Sequence, residues 1–193
     1  HTQIARRRIE PDNRVKDAIL TAERIISLNM SREASTYAVS AAAIPKMLYG
    51  TQWAMPSTAI SNKLRSKVLK SIWGRQAQMR CVEIVLGLLN DPTRVDPLFA
   101  ATYRTITSTR RLLLKDQNRR ERFTRCLKHA LAQDKLLNIM GPVHGFCRAL
   151  EALDIKAKVV GDAIMLTMPT GSTVDLFTKH NTHLNCLIKE SQL

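Results

Sequence analysis

Residues 41–57, AAAIPKMLYGTQWAMPS, crowd alanines, prolines and aromatic side chains together in a chain that is only 5% aromatic. Pro45 kinks or breaks a helix, because it lacks a backbone N–H and its ring clashes with the preceding turn. Gly50 is typical of a helix C-terminus, where it adopts the left-handed conformation at little cost. The stretch therefore predicts a corner that ends one helix and launches the next, with Tyr49 and Trp53 holding the turn.

Helical patterns lead into this corner from the N-terminal side. Apolar residues recur at helical spacing from about Asn13, and Pro11 with Asp12 can cap that helix. Ser31 is then an N-cap for a second helical segment, which runs into the alanines of the corner. We therefore expect two helices before the corner.

The segment after the corner predicts a long amphipathic helix. Ser57 or Thr58 can cap its start, and Gly74 is a C-terminal stop. Its opposite face is basic, so the helix should lie at the surface of the molecule. The residues predicted to be buried are Ile60, Leu64, Val68, Leu69 and Ile72.

The rest of the chain continues the helical pattern and then changes period. Further helices are predicted at about 81–90, 98–115, 119–133 and 143–153. After residue 155, short β-branched runs are separated by turn residues, which is typical of strands.

We therefore predict a mostly α fold, a bundle of six or seven helices with a small C-terminal β-hairpin or meander, α+β overall. The predicted organisation is a basic N-terminal extension at 1–12, a helical domain at 13–153 and a small β-containing segment at 154–193.

Composition narrows the class of protein. The 193 residues are 45% hydrophobic and 24% charged, as in a globular domain, and contain no apolar run long enough to span a bilayer. The chain begins at His1 rather than methionine, so we expect a processed form, a fragment or the ordered part of something longer. Scattered cysteines without a CxxC motif favour buried thiols in a reducing intracellular compartment, with nucleus, cytoplasm and organelle matrix left open. They are Cys81, Cys126, Cys147 and Cys186.

The sequence offers little for catalysis. It lacks the Walker loop, GxGxxG, GxSxG and HExxH, and its acidic residues stand where helix capping explains them. In HNTHLNC, the residues His180, His183 and Cys186 lie at steps of three and could converge on zinc, but further ligands are not evident. The alternative is polar surface residues beside a buried cysteine. We expect no enzyme activity, no metal and no cofactor.

Charge is the informative signal. The net charge is +14, and residues 63–128 hold 16 Lys and Arg against five acids, which gives +11 within that third of the chain. Ordinary helical surfaces mix signs, so this imbalance predicts a surface that contacts phosphates. Trp53 is a further candidate, for stacking on a base. The basic candidates are Lys63, Arg65, Lys67, Lys70, Arg75, Arg80, Arg104, Arg110, Arg111, Lys115, Arg119, Arg120 and Arg122.

An ordered series of short motifs resembles the region after the polymerase palm in reverse transcriptases of non-LTR retrotransposons. The series is IPKMLYGTQW, LRSKVLKSIWG, MRCVEIVLGLL and DPLFAATYR, within about residues 13–115. The matching residues are Pro45, Leu48, Tyr49, Gly50, Trp53, Leu64, Leu69, Trp73 and Gly74. The resemblance implies a helical thumb and connector that grips the backbone of a template–primer duplex.

The sequence departs from that family in its chemistry. The aromatic-x-Asp-Asp turn that supplies metal-binding carboxylates to the polymerase is absent. Two-metal phosphoryl chemistry needs those acids, so this chain alone should not polymerise. It is either a piece of a larger enzyme or a thumb-like module retained for binding.

Two functional hypotheses follow. The first is a non-catalytic, thumb-like module that binds nucleic acid, either RNA or an RNA/DNA duplex, through its phosphates. The second is a basic structural subunit of a large, ribosome-like ribonucleoprotein, whose basic faces lie against RNA and whose apolar helices lie against other proteins. Phosphate-directed charge carries no base information, so it does not distinguish RNA from DNA.

Overall fold

The structure, a computed structural model, describes residues 2–51, 53–74, 81–132, 141–178 and 181–191. It forms two compact units, His1–Ala101 and Thr102–Leu193. The predicted class, mostly helical with a small C-terminal sheet, is confirmed. No helix in the described ranges is both long and apolar enough to cross a bilayer. The division predicted at 12/13 and 153/154 stays a prediction.

In the described residues of the first unit, all regular structure is helical. Two π-helical segments, Val39–Ala43 and Ile84–Leu88, interrupt its α-helices. The α-helices are α1 (Thr2–Ser27), α2 (Arg32–Ala38), α3 (Ile44–Leu48), α4 (Thr58–Trp73), α5 (Pro92–Val95) and the start of α6 (Pro97–Lys115).

The second unit combines helices with the predicted meander. Its three strands pair antiparallel in sequence order, and Lys156 lies opposite Thr167 while Thr167 also lies opposite Thr173. Its elements are the rest of α6, α7 (Gln117–Leu131), α8 (Pro142–Glu151), β1 (Lys156–Val160), β2 (Ala163–Thr167), β3 (Thr173–Asp175) and α9 (Asn181–Glu190).

Helix α4 has the buried stripe and the C-terminal stop that its sequence predicts, but the Ser57 side chain makes no capping hydrogen bond. Four of the five stripe residues are buried, and the fifth, Ile60, packs at the edge of the same core. Gly74 ends the helix with φ +97°, and Ser71 donates a hydrogen bond from its hydroxyl to the Ala22 carbonyl of α1. The core of this unit therefore lies largely between α1 and α4, with the corner segment closing it.

The start of α1 differs from the prediction. The backbone is helical from Thr2, so the helix passes through Pro11 instead of beginning near Asn13. Asp12 was predicted to cap this helix, but it serves α4 instead. One of its oxygens accepts from the Ser57 backbone N–H at 2.9 Å and the other from the Ser57 hydroxyl at 3.1 Å. A carboxylate at this place also interacts favourably with the positive N-terminal end of the α4 helix dipole.

The corner itself is confirmed, but the two aromatic rings are not buried in it. Tyr49 and Trp53 are 74% and 56% exposed, whereas Thr51 between them is buried. Gly50 takes φ +80°, and its carbonyl accepts from the Trp53 N–H at 2.9 Å. Arg14 of α1 donates to the Tyr49 carbonyl at 2.6 Å. The rings are therefore left at the surface.

The second unit packs its helices on one face of the meander. Phe123 of α7 meets Phe146 of α8 edge to face, with ring centroids 5.5 Å apart. Strand β2 alternates buried Ile164 and Leu166 with half-buried neighbours, the period expected of a sheet with one covered face. Leu131, near the end of α7, is exposed.

The prediction of buried thiols is wrong for three of the four cysteines. Cys81, Cys126 and Cys186 are exposed, and only Cys147 is buried. Burial and the nearby Glu151 carboxylate raise the pKa of the Cys147 thiol to about 11.

Candidate nucleic-acid interface

Helix α6 presents a basic face within the second unit. Arg104, Arg111 and Lys115 are exposed at steps of seven and four, which places them along one side of the helix. The opposite side buries Ile106 and Leu113 in the core. The amphipathic pattern therefore fixes which way the cations point.

These three cations border an open cavity of about 330 Å³. Asn185 of α9 joins them, and its Oδ1 is buried without a hydrogen-bond partner among the described residues. None of the described residues that line the cavity is acidic, so it is suited to an anionic group. Its lining consists of Tyr103, Arg104, Thr107, Arg110, Arg111, Leu114, Lys115 and Asn185.

Arg110 was predicted to contact phosphate, and the structure places it differently. Its side chain points inward and is only 7% exposed. Its Nε donates to the Leu176 carbonyl at 2.8 Å, and a terminal nitrogen donates to the Thr178 carbonyl at 2.5 Å. Arg110 therefore ties α6 to the segment after β3, and its guanidinium is committed to the fold.

Helix α7 carries a second basic face. Asp116 caps it by accepting from the Arg119 N–H at 3.1 Å, and the same carboxylate pairs with the Arg119 guanidinium at 2.9 Å. Arg122 is exposed as predicted, and Arg125 and Lys128 extend the row. These side chains face outward because Phe123, Thr124, Leu127 and Ala130 occupy the buried side.

Arg120 lies apart from that row. Its guanidinium lies over the Phe177 ring, 3.8 Å from the centroid, and donates to the Asp162 carbonyl at 3.2 Å. The half-buried side chain links α7 to the turn after β1, and its predicted contact with phosphate stays a prediction.

The basic residues of α4 divide in the same way. Lys63 and Lys70 are exposed, whereas Lys67 pairs with Glu23 at 2.6 Å. Arg65 points toward buried Asp96, with its Nε and a terminal nitrogen 3.1 and 2.7 Å from one carboxylate oxygen.

Asp96 has a second role. Its other oxygen caps α6 through the Leu98 N–H at 3.0 Å. Arg65 and Lys67 are therefore ion-paired within the first unit, and their contact with phosphate stays a prediction.

The remaining candidates are placed only in part. Arg75 and Arg80 lie outside the described residues. Trp53 is exposed at the corner, so its ring is accessible for stacking. Trp73, which is not one of these candidates, is 44% exposed, with the Arg32 guanidinium 4.3 Å from its ring centroid.

Sequence reasoning missed Asn185 because it missed α9. The spacing of Leu184, Leu187 and Ile188 is that of a buried helical stripe, and all three are buried. Within α9 the Cys186 thiol donates to Glu190 at 3.3 Å, and this contact raises the thiol pKa. His180 lies outside the described residues, and no cluster of three potential metal ligands occurs among those that are described.

Comparison of the chain with protein-family models, with curated proteins and with solved structures found no match.

Proposed function

We propose that this chain is a non-catalytic helical module that binds nucleic acid through its phosphate backbone, in the manner of a reverse-transcriptase thumb. One observation carries the proposal. Within α6 and α7, seven Lys and Arg side chains are exposed, and the acids between residues 97 and 131 are only Asp116 and Glu121. The exposed cations are Arg104, Arg111, Lys115, Arg119, Arg122, Arg125 and Lys128.

The arrangement suits a polyanion better than a single small anion. Each helix fixes its cations in a row, with a rise of about 1.5 Å per residue, so the charges repeat along a line as phosphates do. Arginine adds paired N–H donors that match phosphate oxygens. Asn185 contributes no charge at the α6 cavity, so attraction there comes from the cations of α6.

Salt dependence tests the proposal. Affinity for a labelled 20-base-pair duplex should fall steeply between 50 and 300 mM KCl, because each phosphate contact releases a counterion. The triple variant Arg104→Gln, Arg111→Gln, Lys115→Gln should lower the slope of log K against log salt by about 2 to 3. The control, which removes two charges instead of three, is Lys156→Gln with Lys158→Gln, two exposed lysines on β1. A flat affinity in the wild-type chain contradicts the proposal.

A second candidate is the structural subunit of a ribonucleoprotein. The observation that favours it is an apolar surface around the second π-helical segment, where Ile84, Leu88 and Leu89 are 48%, 68% and 52% exposed. Exposed apolar patches often mark contacts with other proteins. A scaffold subunit should co-purify with fixed partners and aggregate alone, whereas a free binding module should be monodisperse in gel filtration.

We also propose an intracellular, reducing location, since the cysteines in the described ranges are all free thiols.

A further inference from the structure

A second basic cavity lies in the first unit, outside the stretch 63–128 that carries most of the charge. It has a volume of about 420 Å³ and is formed between α1 and the corner. The lining residues are Arg14, Asp17, Leu20, Thr21, Arg24, Lys46 and Tyr49, three cations against one acid.

The cavity has an apolar side and a cationic side. Tyr49 and Leu20 are 74% and 52% exposed, although both are large apolar side chains. The Arg14 guanidinium covers one face of the Tyr49 ring, 4.7 Å from its centroid, which leaves the other face to solvent. An aromatic face beside an exposed leucine is a stacking surface for a planar ring.

The cationic side is available to an anion. Lys46 donates to the Thr21 hydroxyl at 2.9 Å, a neutral partner that leaves its positive charge unbalanced. Arg24 is exposed, and no carboxylate of a described residue lies within 4.0 Å of either side chain. Both side chains could therefore contact a phosphate at the rim.

We infer that this cavity binds one unpaired nucleotide of a nucleic acid strand, with its base on the free face of Tyr49 and its phosphate between Lys46 and Arg24. The inference rests on the proposed function and adds to it a preference for single-stranded segments. In a duplex, neighbouring bases already cover one another's faces, so a base cannot enter the cavity without leaving its pair. The cationic helices α6 and α7 have no such requirement.

The test compares a 5′-labelled 12-nucleotide RNA, alone and annealed to its complement, by fluorescence anisotropy. Tyr49→Leu should weaken single-strand binding about tenfold and duplex binding less than twofold, because one stacking contact is lost. Tyr49→Phe keeps the ring and should remain within twofold of the wild type. Both changes leave in place the Tyr49 carbonyl and the hydrogen bond that Arg14 donates to it.

Two further variants make the result specific. Trp73→Leu removes another exposed aromatic ring that contacts an arginine but does not line this cavity, and should leave single-strand affinity unchanged. Lys46→Gln should reduce the single-strand salt slope by about 0.7, the amount for one phosphate contact.

Unchanged single-strand affinity in Tyr49→Leu, or equal losses for single strand and duplex, overturns the inference while the proposed function stands. If the wild-type chain shows no salt-dependent binding to either the single strand or the duplex, the inference and the proposed function both fail.

Discussion

Gly50 meets two demands at one position. Its φ of +80° is a conformation that favours glycine, and a Cβ built there would lie 2.7 Å from a terminal nitrogen of Arg14. Arg14 cannot move aside freely, because that guanidinium donates to the adjacent Tyr49 carbonyl. Backbone conformation and side-chain contact therefore both select glycine at the corner.

Replacing Gly50 should separate these two effects. We expect Gly50→Ala to lower the free energy of unfolding by about 2 to 3 kcal/mol, the backbone strain plus the lost Arg14 contact. Gly171→Ala provides the control, since φ is +85° there and no atom lies within 4 Å of the added Cβ. It should cost about 1 kcal/mol. Urea denaturation measures both, and equal losses would show that Arg14 adjusts without penalty.

Cys147 gives the protein a specific response to alkaline pH. In the unfolded chain the thiol loses its proton near its usual pKa of 9.0, but in the folded chain the pKa is about 11. Between these values the unfolded state binds fewer protons, so the free energy of unfolding falls as the pH rises. Cys147→Ala should show a shallower fall from pH 9 to 11 in denaturant titrations. Parallel curves for the two proteins would contradict this assignment.

At the scale of the helix, adjacent arginines of α6 have opposite roles. Arg110 is buried and donates hydrogen bonds to two carbonyls, whereas Arg111 is exposed beside the cavity. We expect Arg110→Met to lower the free energy of unfolding by about 2 to 4 kcal/mol, since it leaves buried carbonyls without donors. Arg111→Met should change stability by less than about 0.5 kcal/mol and lower the salt slope of duplex binding by about 1.

Thermal unfolding and anisotropy on the same two variants test this division. Stability and binding should respond to different members of the pair. If Arg111→Met destabilises the fold as much as Arg110→Met, the side of α6 that faces solvent has been assigned wrongly.

Helices could be predicted where their signals are local. Ser57 and Gly74 flank α4, and Leu64, Val68 and Ile72 repeat at its own period. Asp12 was predicted to cap α1 because it lies in that part of the sequence, and this prediction was wrong. Its partner is Ser57, which is 45 residues away. Helix α9 was missed because the polar residues of HNTHLNC obscured its buried stripe.

For the molecule as a whole, the charge pattern predicted a basic surface but not which cations are committed to the fold. Arg65 reaches Asp96 across 31 residues, and Arg110 reaches Leu176 across 66. No local pattern contains such partners, because they exist only once distant segments have packed. The net charge of +14 therefore overstates the number of side chains free to contact phosphates.

The two cavities differ in how well the sequence predicted them. The cavity of α6 contains Arg104, Arg111 and Lys115, all of which the helical spacing placed on one face. The cavity of the corner combines Arg14 and Arg24 with Lys46, which belong to separate helices of modest local charge. The density of charge along the sequence therefore predicts the α6 cavity but not the cavity at the corner.

The contact between Gly50 and Arg14 has a consequence for how this protein can change over generations. The two positions share one small volume, so a substitution at either alters what the other accepts. Among related chains, a shorter residue at position 14 would relieve the crowding at position 50, leaving only the backbone constraint. The corner would therefore evolve as a pair of sites, with position 14 changing first.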